Sequence, residues 1–446
     1  MASTLDASPS GLDSYFKITE RGSSLRTEVR AGLATYLVMA YIVFLNPIIL
    51  APLGFDVVAV AAATALAAGV LSIFMGVYAN FPIAMATGLG INAAVSFQLV
   101  VGAGLTPAGA MGVIVLEGIL VTVLVLAGLR EAVMKAVPNS LKLSIAVGIG
   151  LFILFIGFVN GGLITAAQGT PVQFVFPNSA AAGLTLLGLL IAIVLYARKI
   201  KGALIYTIFI TAALALILGV NDWPSSFPGP KFDTLWQFDL GNVFELGILT
   251  ALLTIFTFML TDFFDTMGTA TAIVEQADLM DENGDIPDVG KLLLADSVGA
   301  AVGGAMGVSS NTSYIESSAG VAEGGRTGLT AVVVGFLFLG TIFLSPLATL
   351  ISGPVTAAVL ILIGFLMIRF IKDIDFTDLE EGFPALLAII LMPLTYSITI
   401  GIGAGFVTHT LIKVVVGKGK DVPMLMWVVS GAFVVFFAQG LLLSWF

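Results

Sequence analysis

The chain has 446 residues, 58% of them hydrophobic and only 10% charged, with a mean hydropathy of +1.09 and a formal net charge of −10. Soluble domains carry about 25% charged residues, so this composition excludes a soluble protein and specifies a multi-pass membrane protein. No basic patch suggests nucleic acid; the absence of cysteine rules out disulfides and thiol chemistry, and a lone histidine, His409, cannot form a histidine cluster.

Residues 1–24 are polar and lack the apolar core of a cleaved signal, and 1–30 reads as a cytoplasmic segment before a first span that doubles as the targeting signal. Apolar stretches of spanning length are expected at 31–51, 57–79, 81–100, 107–129, 141–159, 179–197 and 202–220. After a polar stretch they resume at 245–265, 291–308, 309–323, 327–350, 354–371, 383–399 and 400–416. The expectation is therefore an all-α protein with 14 transmembrane segments; the apolar segment within 417–446 is long enough to cross as well, and the sequence leaves both outcomes open.

Lysine and arginine set the orientation. With the N-terminus in the cytoplasm, Lys17, Arg21, Arg26 and Arg30 fall inside, as do Arg130 and Lys135 after the fourth span and Arg198, Lys199 and Lys201 after the sixth. Of all 18 basic residues only Lys231 falls outside. It lies in 221–244, which reads as an external linker between a first repeat, 31–220, and a second, 245–416. The acidic loop 275–290 begins like a calcium loop at Asp281, Asn283 and Asp285, but Ile286 replaces the required glycine and Leu292 the required glutamate, so it reads as a solvated loop.

Two segments make poor helices. FPIAMATGLGINAAVSFQ, 81–98, opens on a proline and carries Gly88, Gly90 and Asn92; VSSNTSYIESSAGVAEGG, 308–325, has a polar, β-favouring start. Each is the third span of its half, and interrupted spans at matching positions point to inverted repeats with a site near the bilayer midplane. Seven spans per half is odd, so the two halves have opposite topology.

The chemistry concentrates in FMLTDFFDTMGT, 258–269, and NTSYIESSAG, 311–320. Asp262 and Asp265 are three apart and share a helix face, which Thr266 and Thr269 continue. A carboxylate at mid-membrane is expensive, at least about 2.5–3.5 kcal/mol, and functional by default. The bland reading, in which each acid caps a broken helix or binds backbone, weakens with every further acid, and Glu316 is a third. No lysine or arginine lies in either stretch; burial without a cation disfavours ionisation, which suits proton exchange and acceptance of N–H hydrogen bonds. Asn92 is a candidate ligand contact. Glu117 and Asp296 sit beside the broken segments and are candidates for pairing across helices or for proton relay. Asn46-Pro47 ends the first span, where a helix-end role is as good a reading as a functional one. His409 reads as a packing histidine. Phe258, Phe263 and Phe264 could stack on a flat ligand, although phenylalanine in a membrane helix is usually packing.

FFDTMGTATAI, LLLADSVGAAVGGAMG and SSNTSYIESSAGVAEGGRTGLTAV closely resemble the AzgA-like purine permeases, a branch of the nucleobase–ascorbate (uracil–xanthine) permease superfamily. MAYIVFLNPIILA and DENGDIP are similar to that branch too, and the resemblance runs from about residue 20 to 420. It implies core and gate domains, proton-coupled uptake of adenine, hypoxanthine or guanine by an elevator-type movement, and a homodimer in the cell membrane. By motif position Glu316 looks like the glutamate that holds the nucleobase ring N–H, with Ile315, Ser313 and Gly88 beside it. Asp265 looks like the acid of the eighth span, Asp262 like the extra acid of this branch and Asn92 like its polar residue in the third span. Thr269 stands where uracil carriers have a proton-linked histidine, and its identity leaves the proton carrier open among Asp262, Asp296 and Glu117. No cofactor or metal is expected.

The alternatives are a same-fold carrier of uracil or xanthine, an anion transporter, an intramembrane aspartyl enzyme and a channel. An anion site calls for a basic residue, absent before Arg326. The enzyme needs a GxGD-type segment, and GLGINA has no aspartate.

Overall fold

Backbone left irregular inside a membrane must find its hydrogen bonds within the protein. In the computed structural model, which describes residues 11–128, 136–167, 169–282 and 285–443, two irregular stretches supply them to each other. Arg130, Lys135 and Asn283 lie outside the described residues.

The chain begins with α1 (Gly11–Phe16), then α2 (Leu25–Met39) and α3 (Ile42–Ile49), which together make the first span, and α4 (Val57–Phe74). The third span is strand β1 (Met85–Thr87), α5 (Leu89–Ala93) and a π-helical continuation, Ala94–Gly102. Next come α6 (Pro107–Leu126) and α7 (Asn139–Asn160), a hairpin of β2 (Ile164–Ala167) and β3 (Thr170–Phe174), then α8 (Ala180–Ala197) and α9 (Ala203–Ile217). The second half has α10 (Ile248–Gln276), α11 (Val289–Ala305), β4 (Asn311–Ser313) with α12 (Ser318–Ala322), α13 (Gly328–Thr341), α14 (Gly353–Ile368), α15 (Leu379–Thr395) and α16 (Ile398–Val415). Among the described residues, nine helical stretches are long and apolar enough to cross a membrane.

The final apolar segment is helix α17 (Met424–Leu443). Its 20 residues reach about 30 Å, the thickness of the hydrocarbon core. Phe433 is fully buried where Gly403 of α16 leaves room for its ring, and Ser430 bonds Thr410 at 2.8 Å. One expected boundary moves: the span placed at 245–265 is a helix of 29 residues reaching Gln276, because no proline or helix-ending glycine interrupts it before Ala277. Asp262 and Asp265 therefore lie mid-helix rather than at its end.

The helices sort into two bodies by what they touch. One holds α2, α3, α4, α6 and α10 to α13 with β1 and β4; the other holds α7, α8, α9 and α14 to α17. Seams within the bodies are cut by glycine, as between membrane helices where close backbone approach replaces hydrophobic drive. On α4 and α13, Cβ atoms at Gly69 and Gly335, or at Gly76 and Gly328, would run into one another's backbone. On α6 and α11, Gly118 faces the backbone of Ala301 and Gly304 that of Val115. Helix α4 thus packs on α13 and α6 on α11. Gly150 of α7 and Gly364 of α14 meet in the same way in the other body.

On the axis of this arrangement β1 and β4 pair antiparallel, with Met85 opposite Ser313, Ala86 opposite Thr312 and Thr87 opposite Asn311. Gly88 N–H donates to the Ser310 carbonyl at 2.9 Å and Tyr314 N–H to that of Ala84 at 3.0 Å. Side chains complete the accounting: the Ser72 hydroxyl accepts from Met85 N–H at 2.9 Å and donates to its carbonyl at 3.1 Å, and Ser317 Oγ accepts from Ala84 N–H at 3.0 Å.

Gly303 of α11 lies against this crossing, where a Cβ would strike the Ser309 carbonyl and come within 3.0 Å of Asn311 N. Gly303→Ala is expected to lower stability by about 1–3 kcal/mol through overpacking. Gly431→Ala, in α17 with open space around it, serves as the control and should leave the unfolding temperature in detergent unchanged. Equal unfolding temperatures for both variants would refute the tight crossing.

Candidate functional site

Helix α10 can carry polar residues through the membrane because its threonines bond back to their own helix. Thr257 donates to the Thr254 carbonyl at 2.9 Å and Thr261 to that of Thr257 at 2.8 Å. The two aspartates do not share one environment. Residues three apart on a helix differ by about 60° in direction, and the edge of the packed face falls between them. Asp262 is 1% exposed and accepts from Ser310 Oγ at 3.2 Å, whereas Asp265 is exposed, beside the open Gly268. Thr266 follows Asp262 inward, and Thr269 is buried one turn beyond Asp265.

Asp296 is the anchor of the crossing. Its Oδ1 accepts from Ser313 N–H at 2.7 Å and Ser313 Oγ at 2.8 Å, and its Oδ2 from Thr266 Oγ1 at 2.6 Å. Thr266 also bonds Thr312 at 2.7 Å. The carboxylate thus fixes β4 to α10 and α11. Glu117, on α6, is its opposite: fully buried, with neither carboxylate oxygen in a well-formed hydrogen bond and only the Ser310 hydroxyl within reach.

Glu316 sits in a short 3₁₀ turn, Ile315–Ser317, and is half-buried like Ile315. Its Oε1 accepts from the Tyr41 hydroxyl at 2.7 Å. Tyr41 is fully buried at the junction of α2 and α3, and sequence reasoning missed it. The only signal was a lone hydroxyl inside the apolar run MAYIVFLNP. Tyr314 donates to the Thr87 carbonyl at 2.6 Å. Glu316 and Asp265 are close enough to act on each other electrostatically. Glu316 and Ile315 are thus half-buried and Asp265 exposed, while Asp262, Ser313 and Gly88 are buried.

Asn92 is fully buried rather than open to that surface. Its Nδ2 donates to Asn46 Oδ1 at 2.7 Å and Thr87 Oγ1 at 3.0 Å. Asn46 in turn donates to Thr64 Oγ1 at 2.9 Å and the Val308 carbonyl at 3.2 Å. Two amides thus tie three spans to the start of the tenth. Phe258 and Phe263 are packed in the core, while Phe264 is half-buried with the Lys142 ammonium 5.6 Å from its ring centre. His409 is 3% exposed, with Nδ1 3.3 Å from the Glu380 carbonyl. A surface groove of about 420 Å³, lined by Tyr196, Ala197, Lys199 and Ile200, includes none of the carboxylates. Among the described residues no three acidic or histidine side chains are placed to hold a metal.

Residues 26–439 match the model of the Permease family, Xan_ur_permease. The chain is 38% identical over 440 residues to the guanine/hypoxanthine permease PbuG of Bacillus subtilis, covering 95% of this chain and 98% of that one. It is 39% identical over 425 residues to the adenine permease AdeP of Escherichia coli, covering 95% of each. The transmembrane domain of the cyanobacterial bicarbonate transporter BicA superposes with a TM-score of 0.63 at 14% identity, over 85% of this chain and 97% of that one, and shows the shared core-and-gate fold.

Asp296 and Glu117 should respond oppositely to substitution. Asp296→Ala strands three donors in the interior, two from Ser313 and one from Thr266, and is expected to destabilise by about 3 kcal/mol. Glu117→Gln strands no donor of the crossing and should unfold at or above the wild-type temperature. Thermal unfolding in detergent decides; equal losses would contradict the division into anchor and free acid.

Proposed function

The chain belongs to the permease family, in which its relatives include named purine permeases, and from that membership we propose that it imports adenine, hypoxanthine or guanine by proton symport. The substrate class rests on about two-fifths identity along nearly the whole chain. The site assignment rests on one observation: Glu316 stands on a broken span with one oxygen held by Tyr41, at an accessible surface it shares with Asp265.

In this reading Glu316 and Asp265 accept hydrogen bonds from the ring N–H groups of the base, and the Phe264 ring closes one side. Ile315 lies beside the base, and Gly88, Ser313, Asn92 and Thr269, buried behind that surface, support it from below. Of the three proton candidates, Asp262 and Glu117 are favoured over Asp296, whose two oxygens are already engaged. The N-terminus is cytoplasmic and the protein sits in the cell membrane as a homodimer. Residues 31–220 and 245–416 are the two repeats, 221–244 the external linker, and 417–446 an appended segment. An anion substrate is disfavoured because Glu316 and Asp265, both carboxylates, are the charged side chains placed at this surface.

An elevator-type movement requires the two bodies to part along a seam. At the Gln98 end that seam is bonded shut: Gln98 Nε2 donates to Thr399 Oγ1 at 2.6 Å, Ile398 N–H donates to Gln98 Oε1 at 2.9 Å, and Thr257 and Thr399 bond at 2.8 Å. With that end closed and Asp265 exposed, the conformation is one of the two that alternating access needs.

Cells expressing the protein are expected to take up radiolabelled adenine, hypoxanthine or guanine faster at acidic external pH, and to lose uptake with a protonophore. Sodium-dependent uptake that ignores the protonophore would overturn the coupling. Tyr41→Phe is expected to weaken purine binding by about 1–2 kcal/mol, roughly five- to thirtyfold, and Glu316→Ala by more; wild-type affinity in folded Glu316→Ala would overturn the site. Because the native chain has no cysteine, Gln98→Cys with Thr399→Cys can be cross-linked across the seam. Cross-linking should stop uptake and spare binding; continued uptake by the linked protein would show that the bodies need not separate there.

A further inference from the structure

We propose that Glu117 and Asp262 form a shared proton site behind the substrate-facing surface, and that Ser310 reports its occupancy to the crossing of the broken spans. The proposal rests on the proton-symport reading and deepens it by naming where the proton resides.

By hydrogen-bond geometry three of the four oxygens in this pair are unpartnered, both of Glu117 and Oδ2 of Asp262, and the Ser310 hydroxyl lies within reach of both residues. Both residues are buried, at 0% and 1% exposure. They come from different helices, α6 and α10, and lie close enough to act on each other. Two ionised carboxylates in such a place would be neither solvated nor paired, and their repulsion in a low dielectric is large. One proton held between them removes both problems, supplying a donor to an orphaned oxygen and leaving a single charge for the pair.

The neighbouring charges do not offer another solution. Asp296 on α11 and Asp265 on α10 also face the pair and add negative charge. Glu316 is bonded to Tyr41, and Glu245 lies in the turn that packs against α6. The basic groups on elements packed against α10 are engaged elsewhere. Lys142 of α7 lies over Phe264; His409 and Lys413 of α16 contact Glu380. Lys291 of α11, which packs on α6, pairs with Asp288.

Ser310 connects the pair to the moving parts. Its hydroxyl donates to Asp262 Oδ1 at 3.2 Å, and its carbonyl accepts from Gly88 N–H at 2.9 Å, beside the β1–β4 ladder. A serine hydroxyl has one hydrogen to give. Ionised Asp262 calls on that hydrogen, whereas protonated Asp262 can itself donate to Ser310 or Glu117. The residue before it, Ser309, has φ 73°, a left-handed backbone uncommon outside glycine, so this entry to β4 is held by its surroundings rather than by local preference. Loading the proton thus changes the bonding of a residue that borders the crossing.

The test uses the full protein in liposomes, with radiolabelled hypoxanthine as probe. Glu117→Gln is expected to bind hypoxanthine and exchange it against unlabelled hypoxanthine, yet to lose accumulation driven by an imposed proton gradient. In infrared difference spectra between acid and alkaline pH, a protonated-carboxyl band of the wild type is expected to disappear or shift in both Glu117→Gln and Asp262→Asn. Ser310→Ala, which removes no charge, is expected to displace the pH midpoint of accumulation. If the wild type accumulates with protons but Glu117→Gln accumulates equally well and keeps the band, the pair is not the site, although the symport reading stands. An unchanged midpoint in Ser310→Ala overturns the link to the crossing. If the wild type itself ignores the proton gradient, the symport reading fails and the shared-proton inference falls with it.

Discussion

The crossing of β1 and β4 is the constraint on which the rest of the structure depends. Two spans give up helical hydrogen bonding at the same depth, and in a membrane no water is at hand to replace it. Each compensates the other through a short antiparallel ladder, and the remaining donors and acceptors fall to Ser72, Ser317 and Asp296. The glycines of α11 allow the ladder to lie directly on a helix surface, with Gly299 and Gly303 against Asn311. The open chain after β4 then leaves Glu316 partly accessible, where an unbroken helix would present only side-chain ridges.

Much of this was legible in the sequence because membrane insertion writes its requirements plainly. Hydropathy marks the spans, and proline, glycine and polar residues at matching positions mark the two broken ones. Carboxylates without basic neighbours mark the site. What escaped depends on tertiary partners. Tyr41 looks like one aromatic among many until its hydroxyl is seen on Glu316. Glu28 reads as a charge in a polar leader, yet it is fully buried and accepts from Arg326 N–H, Thr327 N–H and Thr330 Oγ1, capping α13 from α2. The pairing of Asp262 with Asp265 was read from spacing alone. Spacing gives the angle between two side chains but not where the packed face ends, and here that boundary runs between them. Asn92 was placed at the ligand by its position in a broken span; spacing could not show that its Nδ2 donates to Asn46 and Thr87 while its Oδ1 stays buried without a partner.

The acids divide by how completely they are bonded. Asp296 is a fully used acceptor and behaves as part of the scaffold. Glu316 is half used, with one oxygen positioned by Tyr41. Glu117 is unused, the state least expected of a buried carboxylate and the most informative one. All three are carboxylates of the membrane interior; the neighbouring donors, and for Glu316 its partial exposure, tell them apart.

At the other end of the first body, α1 is fastened to the core rather than trailing from it. Arg21 donates to the carbonyls of Asn80 and Arg326, Asn80 donates to the Phe16 carbonyl at 3.0 Å, and Phe16 and Ile18 pack on Leu329 of α13. A probe attached to α1 would therefore ride with the first body, while one at the start of α15, where Glu380 is held by Lys413 and Lys418, would ride with the second. The same fastening makes the leader a natural handle: a spectroscopic ruler between these two places would register displacement of one body past the other without a label inside the membrane.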